Sequence, residues 1–179
     1  IIKHLDGDPN GDVGDYDNQL WTKSKFNGKH KGKRWGAHCS LLDRKVYPEK
    51  DPLPVCVLEI IDKVCQLNCF ENFVPNEANA IDYSKRAGDY LKSHVDDRQL
   101  SKEPIANLSL AGDCYMTFRL ERDKKKHLLP TEMKILLKRR TLQVLTGRAR
   151  YDYSHGIENR DLLTDRRISI TMRESPLSR

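Results

Sequence analysis

From residue 79 onward, apolar and polar positions alternate in short runs: "NAIDYS", "YLKSHVD", "IANLSL", "CYMTFRL", "KILLK", "TLQVLTG", "ARYDYS" and "RISITMR". Alternation at period two is the signature of half-buried strands. The runs are divided by Gly, Asp, Pro or charge clusters, and that spacing predicts an antiparallel sandwich or barrel such as a jelly roll. The stretch "PVCVLEIIDKVCQLN" has a different period. Val57, Leu58, Ile61, Val64, Cys65 and Leu67 fall at helical spacing, and Pro54 stands near the start, so a helix is predicted here. "GAHCSLLDRKVYP" predicts a strand or hairpin, and "YPEKDPLP" a linker, because Pro48, Pro52 and Pro54 oppose regular pairing. Residues 1–20, rich in Asp, Gly and Asn, read as loop, and "ERDKKK" reads as a hairpin tip. The class expected is mainly β (α+β).

Composition adds bounds. With 179 residues, 37% hydrophobic and 32% charged, the chain has the length of one domain and a polar but not disordered character. No apolar run approaches the ~18–20 residues of a membrane span, so no membrane partner is expected. The cysteines are Cys39, Cys56, Cys65, Cys69 and Cys114. An odd number at loose spacing opposes a disulfide framework and fits a reducing compartment. No second Cys/His pair follows Cys65-x-x-x-Cys69 at zinc spacing, so these are read as buried or half-buried thiols. A monomer in the nucleus and/or cytoplasm is expected.

The net charge of +6 is unevenly placed. Residues 1–18 carry five Asp against one Lys, whereas "TKSKFNGKHKGKRWG" (22–36) carries five Lys and one Arg with no acid. Phe26 and Trp35 are interleaved with these cations, and Trp21 precedes them. Such a block suits a nucleic-acid backbone and unstacked bases, and it equally suits a solvated basic loop.

The candidate chemistry begins at His94-Val95-Asp96. With six His and 17 Asp, chance supplies about 0.6 His-x-Asp triplets. The chain has two, and His4-Leu5-Asp6 lies in the Asp-rich terminus, where chance explains it. Residues two apart at a strand end can share a face, so His94 and Asp96 can point inward together. His155 in "YSHGI" is the candidate third ligand, from a facing strand. Two His and one carboxylate form the facial set that non-haem Fe(II) oxygenases use, leaving open positions for a chelating co-substrate and O2. The distal carboxylate of 2-oxoglutarate would need an Arg. Arg167, Ser169, Thr171 and Arg173 share one parity of a strand-like run, with Ile168, Ile170 and Met172 on the other. An inward stripe of Arg, Ser, Thr and Arg makes little sense as core and good sense around a dicarboxylate.

In this order, "HVD", "YSHGI" and "RRISITMR" resemble the AlkB family of Fe(II)/2-oxoglutarate dioxygenases, whose pattern is His-x-Asp, a distal His often followed by Gly-Ile, and Arg-x5-Arg. The likeness covers roughly residues 79–175, with a weaker echo at "KRWGAHCS", where the family places its substrate lid. The resemblance implies a double-stranded β-helix (jelly roll) core with an N-terminal helix and lid, in one domain. Residues 1–50 would form the N-terminal loop and lid, 51–78 the helical support, and 79–179 the catalytic core. It implies His94, Asp96 and His155 as iron ligands, and Arg167, Arg173 and Tyr83 as 2-oxoglutarate contacts. In the family's Asn-x-Tyr pattern the Asn position is Ile81 here, with Asn79 nearby but off register. Trp35, Arg34 and His38 on the lid, with Asp97 and Arg98 beside the ligand pair, are the candidate substrate contacts. The implied reaction consumes O2 and 2-oxoglutarate, gives succinate and CO2, and removes an N-methyl group as formaldehyde. Nucleic-acid bases (DNA or RNA) are the first substrate expected. Repair members often carry an acid a little beyond the ligand Asp, and here Asp97 is adjacent and Arg98 follows. That departure keeps methyl-lysine on a protein as the alternative, and a silent binding module is the third reading.

Overall fold

The computed structural model describes residues 1–7, 19–24, 27–121 and 130–177. The chain opens with a short helix, α1 (Ile2–Asp6), followed by β1 (Thr22–Lys23), β2 (Gly28–Lys29), β3 (Lys31–Ser40) and β4 (Lys45–Asp51). Helix α2 (Val55–Cys65) leads to β5 (Glu77–Ser84), β6 (Tyr90–His94), β7 (Ile105–Ala111), β8 (Cys114–Leu120), β9 (Glu132–Leu137) and β10 (Leu142–Leu145). A five-residue helix, α3 (Gly147–Tyr151), precedes β11 (Tyr153–Ile157) and β12 (Arg166–Arg173). The larger sheet runs β1-β3-β5-β12-β7-β10, with β4 paired to β3, and the smaller runs β2-β6-β11-β8-β9. The strand pairings among the described residues are antiparallel, and the two sheets face each other as a jelly roll.

Strand β12 organises the packing. Its neighbours β5 and β7 cover both edges, and its parity separates two environments. Ile168, Ile170 and Met172 are fully buried against Val57, Ile60 and Val64 of α2, together with Trp35, Phe70 and Phe73. Arg167, Ser169 and Thr171 are buried on the opposite face, between the sheets. A second apolar cluster, including Ile105, Met116, Phe118, Leu145 and Ile157, fills the rest of that interior.

The eight expected runs contain eight of the strands, with one local change. In "ARYDYS" the first residues belong to α3, and the strand begins at Tyr153 and passes through His155. The helix holds Arg150 in the interior, a tertiary demand that alternation does not reveal. The hairpin expected over "GAHCSLLDRKVYP" is β3–β4. The Pro-rich linker is corrected: residues 45–51 form β4, an edge strand whose pairing shifts between His38↔Tyr47 and Gly36↔Asp51. Pro48 falls in that irregularity, where its missing N–H breaks no ladder bond. Gly36 has φ +79°, and a Cβ there would lie 2.0 Å from the Asn76 carbonyl oxygen, so only Gly fits the bend. Within the expected N-terminal loop and lid (1–50), residues 31–40 and 45–50 are thus sheet. Part of the expected N-terminal loop is α1. It is too short to show a period and is held by tertiary contacts, with Leu5 in the core and Asp6 accepting from Arg166 and Trp21. Helix α2 keeps Val57 and Val64 buried as expected, but Leu58 and Leu67 face solvent, and Ile60 takes the middle position. Phe26 and residues 122–129, which hold most of the expected hairpin tip, lie outside the described residues.

Ile170→Ala would leave a cavity at the junction of β12 and α2, with expected destabilisation of about 2–5 kcal/mol. Urea denaturation followed by circular dichroism measures it, and a change below about 1 kcal/mol would place the packing centre elsewhere.

Candidate active site

The smaller sheet brings the first group of polar side chains together. His94 ends β6 and pairs directly with His155 of β11, and their ring centroids are 4.7 Å apart. Gly156 makes this close approach feasible: a Cβ there would meet the Leu91 carbonyl oxygen and the Ser93 nitrogen at 2.8 Å. Asp96 follows His94 just past the strand end, and its Oδ2 is 3.4 Å from His155 Nε2. One ligand-type atom from each of His94, Asp96 and His155 lies within 4.8 Å of the others.

The protonation states suit a cation. His94 Nδ1 is 2.9 Å from the Lys92 carbonyl oxygen, which can only accept, so Nδ1 carries the proton of this bond. Burial pushes the His155 pKa down to about 4 despite the nearby Asp96 carboxylate, so the ring is neutral at physiological pH. Burial opposes ionisation of Asp96, but the Arg173 guanidinium, which also donates to it, outweighs burial and holds the carboxyl well below the usual range. Two imidazoles and one carboxylate are a donor set for a divalent metal.

The larger sheet supplies the opposite wall. Arg173 Nη2 donates to Asp96 Oδ1 at 2.9 Å, and its Nη1 is 3.8 Å from Glu77 Oε1. Arg167 is only 1% exposed. Its Nη1 donates to Ser169 Oγ at 2.9 Å and its Nη2 to Ser109 Oγ at 3.4 Å, while Nε has no partner. The guanidinium lies 5.5 Å from the centre of the Tyr83 ring, directly across from it in the β12–β5 pairing. Burial raises the Tyr83 pKa, so the phenol stays protonated and can donate. No carboxylate among the described residues is within ion-pair reach of Arg167. A buried cation served only by neutral groups is costly unless an anion joins it. Arg167 and Arg173, expected to clamp one dicarboxylate together, are six residues apart, roughly 20 Å along an extended strand. They occupy separate ends of the cavity, and Arg173 is bound to Asp96.

None of the expected substrate contacts lines this cavity. Trp35 is corrected outright: it is 3% exposed and packs in the core beneath the larger sheet. Arg34 is exposed and pairs with Asn79, so its side chain leaves from the cavity face near the rim. His38 is exposed beside Tyr47, with 6.4 Å between ring centroids. Asp97 accepts from the Gln99 and Leu100 N–H groups and pairs with Arg44 at 2.9 Å. Arg98 donates to the Tyr151 carbonyl. Two buried residues escaped sequence reasoning. Glu77 links Arg173, Asn79 and Ser175. Arg150, 1% exposed, donates through Nη2 to the Ser101 and Asp97 carbonyls and so grips the segment after Asp96. Its one visible signal is a charge inside an otherwise strand-like run.

Residues 20–173 match the sequence pattern of the 2OG-Fe(II) oxygenase superfamily. The chain belongs to that superfamily. The relatives it matches make it an oxygenase of the AlkB type. One is the tRNA (carboxymethyluridine(34)-5-O)-methyltransferase ALKBH8 of Macaca fascicularis, 29% identical over 145 residues. Another is the alpha-ketoglutarate-dependent dioxygenase alkB homolog 4 of Mus musculus, 25% identical over 146 residues. The matches cover 80% and 68% of this chain but only 20% and 48% of those relatives. The solved structure of OsALKBH1 shares the fold, with a TM-score of 0.58 and 14% identity over 89% of this chain and 83% of that one. The cofactors of this oxygenase are Fe(II), 2-oxoglutarate and O2, and the donor set at His94, Asp96 and His155 fits the metal. No helix among the described residues is long and apolar enough to cross a membrane.

Replacing His94, Asp96 or His155 by Ala is expected to weaken Co(II) binding by at least about 100-fold. Titration followed by visible absorption measures this, and wild-type affinity in all three variants would contradict the assignment.

Proposed function

We propose that this domain is an oxidative N-demethylase acting on methylated bases of DNA or RNA, as a monomer in the nucleus or cytoplasm. The observation that carries the reading is the cavity itself. A two-His, one-Asp cluster stands at one end, and an anion-seeking Arg167 stands at the other. Fe(II) with 2-oxoglutarate and O2 supplies, when bound, the oxidising power to hydroxylate an N-methyl group, which then leaves as formaldehyde alongside succinate and CO2.

The chain's own residues do the rest. His94, Asp96 and His155 would hold the metal. Arg173 keeps Asp96 ionised and fixes one of its oxygens. Arg167, with the protonated Tyr83 beside it, receives the distal carboxylate of 2-oxoglutarate. The apolar walls, among them half-buried Ile81 and Leu91 and buried Met116, keep water from the reacting end.

Two features support a nucleic-acid substrate: the tRNA named for the ALKBH8 relative, and the exposed cations Lys23, Lys29, Lys31 and Arg34. Lys33 of the same basic block is buried above the Trp21 ring and is not available to phosphates. A base within a duplex would have to leave the stack to reach the cavity. Asp97 favours the second reading, methyl-lysine on a protein. Its carboxylate is spent on Arg44 and two backbone N–H groups, so it supplies no acid beside a methylated base.

A formaldehyde-release assay on N-methylated bases in DNA and RNA, with a methyl-lysine peptide as comparator, tests the reading. Formaldehyde equimolar with succinate from an oligonucleotide is expected. Formaldehyde from the peptide alone would establish the second reading, and none from any substrate would overturn both. With four exposed cations contacting phosphates, log K should fall with log salt at a slope of about −3 to −4. Fluorescence anisotropy at several salt concentrations measures it, and a flat response would remove nucleic acid as the substrate.

A further inference from the structure

On its cavity face the larger sheet carries a continuous row of four hydrogen-bonding side chains. Asn79 of β5 stands opposite Thr171 of β12, Thr171 opposite Asn107 of β7, and Asn107 opposite Gln143 of β10. Three of the four are amides, and each has a buried carbonyl oxygen with no partner: Asn79 Oδ1, Asn107 Oδ1 and Gln143 Oε1. Thr171, Asn107 and Gln143 line the cavity. Leaving such atoms unpaired is costlier than apolar groups of the same shape, so a row of them points to a ligand.

The hydrogen bonds that are made leave capacity free. Asn107 Nδ2 lies 2.6 Å from Thr171 Oγ1. A hydroxyl both donates and accepts, and an amide turns over at almost no steric cost. Turned over, Asn107 accepts from Thr171 and aims its amino group into the cavity. Gln143 Nε2 has only the Met116 sulfur at 3.7 Å, a weak acceptor. Directly paired residues on neighbouring strands hold their side chains about 5 Å apart, a span that two carboxylate oxygens can bridge.

The row also lies at the right depth. It is one register step, about 7 Å, from the Arg173 row that touches Asp96, and two steps, about 13 Å, from the Arg167 row. A 2-oxoglutarate molecule extended from the metal cluster to Arg167 must cross it. Ile81, one step deeper on β5, offers that molecule no hydrogen bond. We infer that Asn107 and Gln143 together hold the keto-acid end of 2-oxoglutarate, and that they set selectivity at that end. This inference rests on the metal and co-substrate assignment made under Proposed function.

Calorimetric titration of 2-oxoglutarate into the Mn(II)-loaded protein tests it, with Mn(II) affinity by electron paramagnetic resonance as the control. Asn107→Asp keeps the shape, removes the donor and sets a like charge beside the ligand, so Kd should rise about 100-fold. Gln143→Met removes the other donor at similar volume, and Kd should rise about 10-fold. Mn(II) affinity should stay unchanged in both. Should Asn107→Asp fail to fold, Gln143→Met decides alone. Unchanged Kd in the folded variants, with Mn(II) still bound, would overturn the inference and leave the co-substrate assignment standing. Wild-type protein that binds Mn(II) but not 2-oxoglutarate would overturn that assignment and this inference with it.

Discussion

Successive side chains of a β-strand must leave from opposite faces, and β12 has α2 against one face and the smaller sheet across the cavity from the other, so both of its faces are interior. An Arg-Ile-Ser-Ile-Thr-Met-Arg sequence in that position puts two guanidiniums inside the protein along with three apolar anchors. The anchors are satisfied at once by α2. The guanidiniums are not, and much of the site can be understood as the means of accommodating them. Arg173 is matched by Asp96 and Glu77. Arg167 is met by two serine hydroxyls and the Tyr83 ring, and is left without a counter-charge.

The two ends of the cavity therefore differ electrostatically. At the metal end, burial alone would keep Asp96 protonated, and Arg173 reverses that. The same burial keeps His155 neutral, the form with a lone pair to give. A preformed negative oxygen beside two imidazoles attracts a divalent cation, and the uncompensated Arg167 attracts an anion. A molecule with a chelating end and a carboxylate tail, about one cavity long, answers both demands. On the proposed reading, the co-substrate is selected by opposite charges at opposite ends of the cavity.

Much of this was legible in the sequence because it depends on parity and order. The alternation of β12 separates its two faces without reference to any other segment. The order His94, Asp96, His155, Arg167 survives folding as one constellation, although His155 sits within a strand that the alternation placed slightly early. What could not be read depends on long-range contact. Trp35 has the composition of a lid residue, but strand β3 joins the larger sheet with that side chain turned to the core. Asp97 looks free beside the ligand pair, yet Arg44 from the β3–β4 turn claims it. Arg150 and Gln143 are polar residues within strand-like runs, and only the fold shows that one grips the ligand segment and the other faces the cavity.

The central claim is that Arg167 is the anion anchor of a site whose other end is the metal cluster. The most direct measurement is the affinity of metal-loaded Arg167→Met for 2-oxoglutarate, compared with wild type. Removing the one buried cation at the tail position should weaken binding by about 100-fold or more while Mn(II) affinity holds. An unchanged 2-oxoglutarate affinity in a folded, metal-binding Arg167→Met variant would contradict the account.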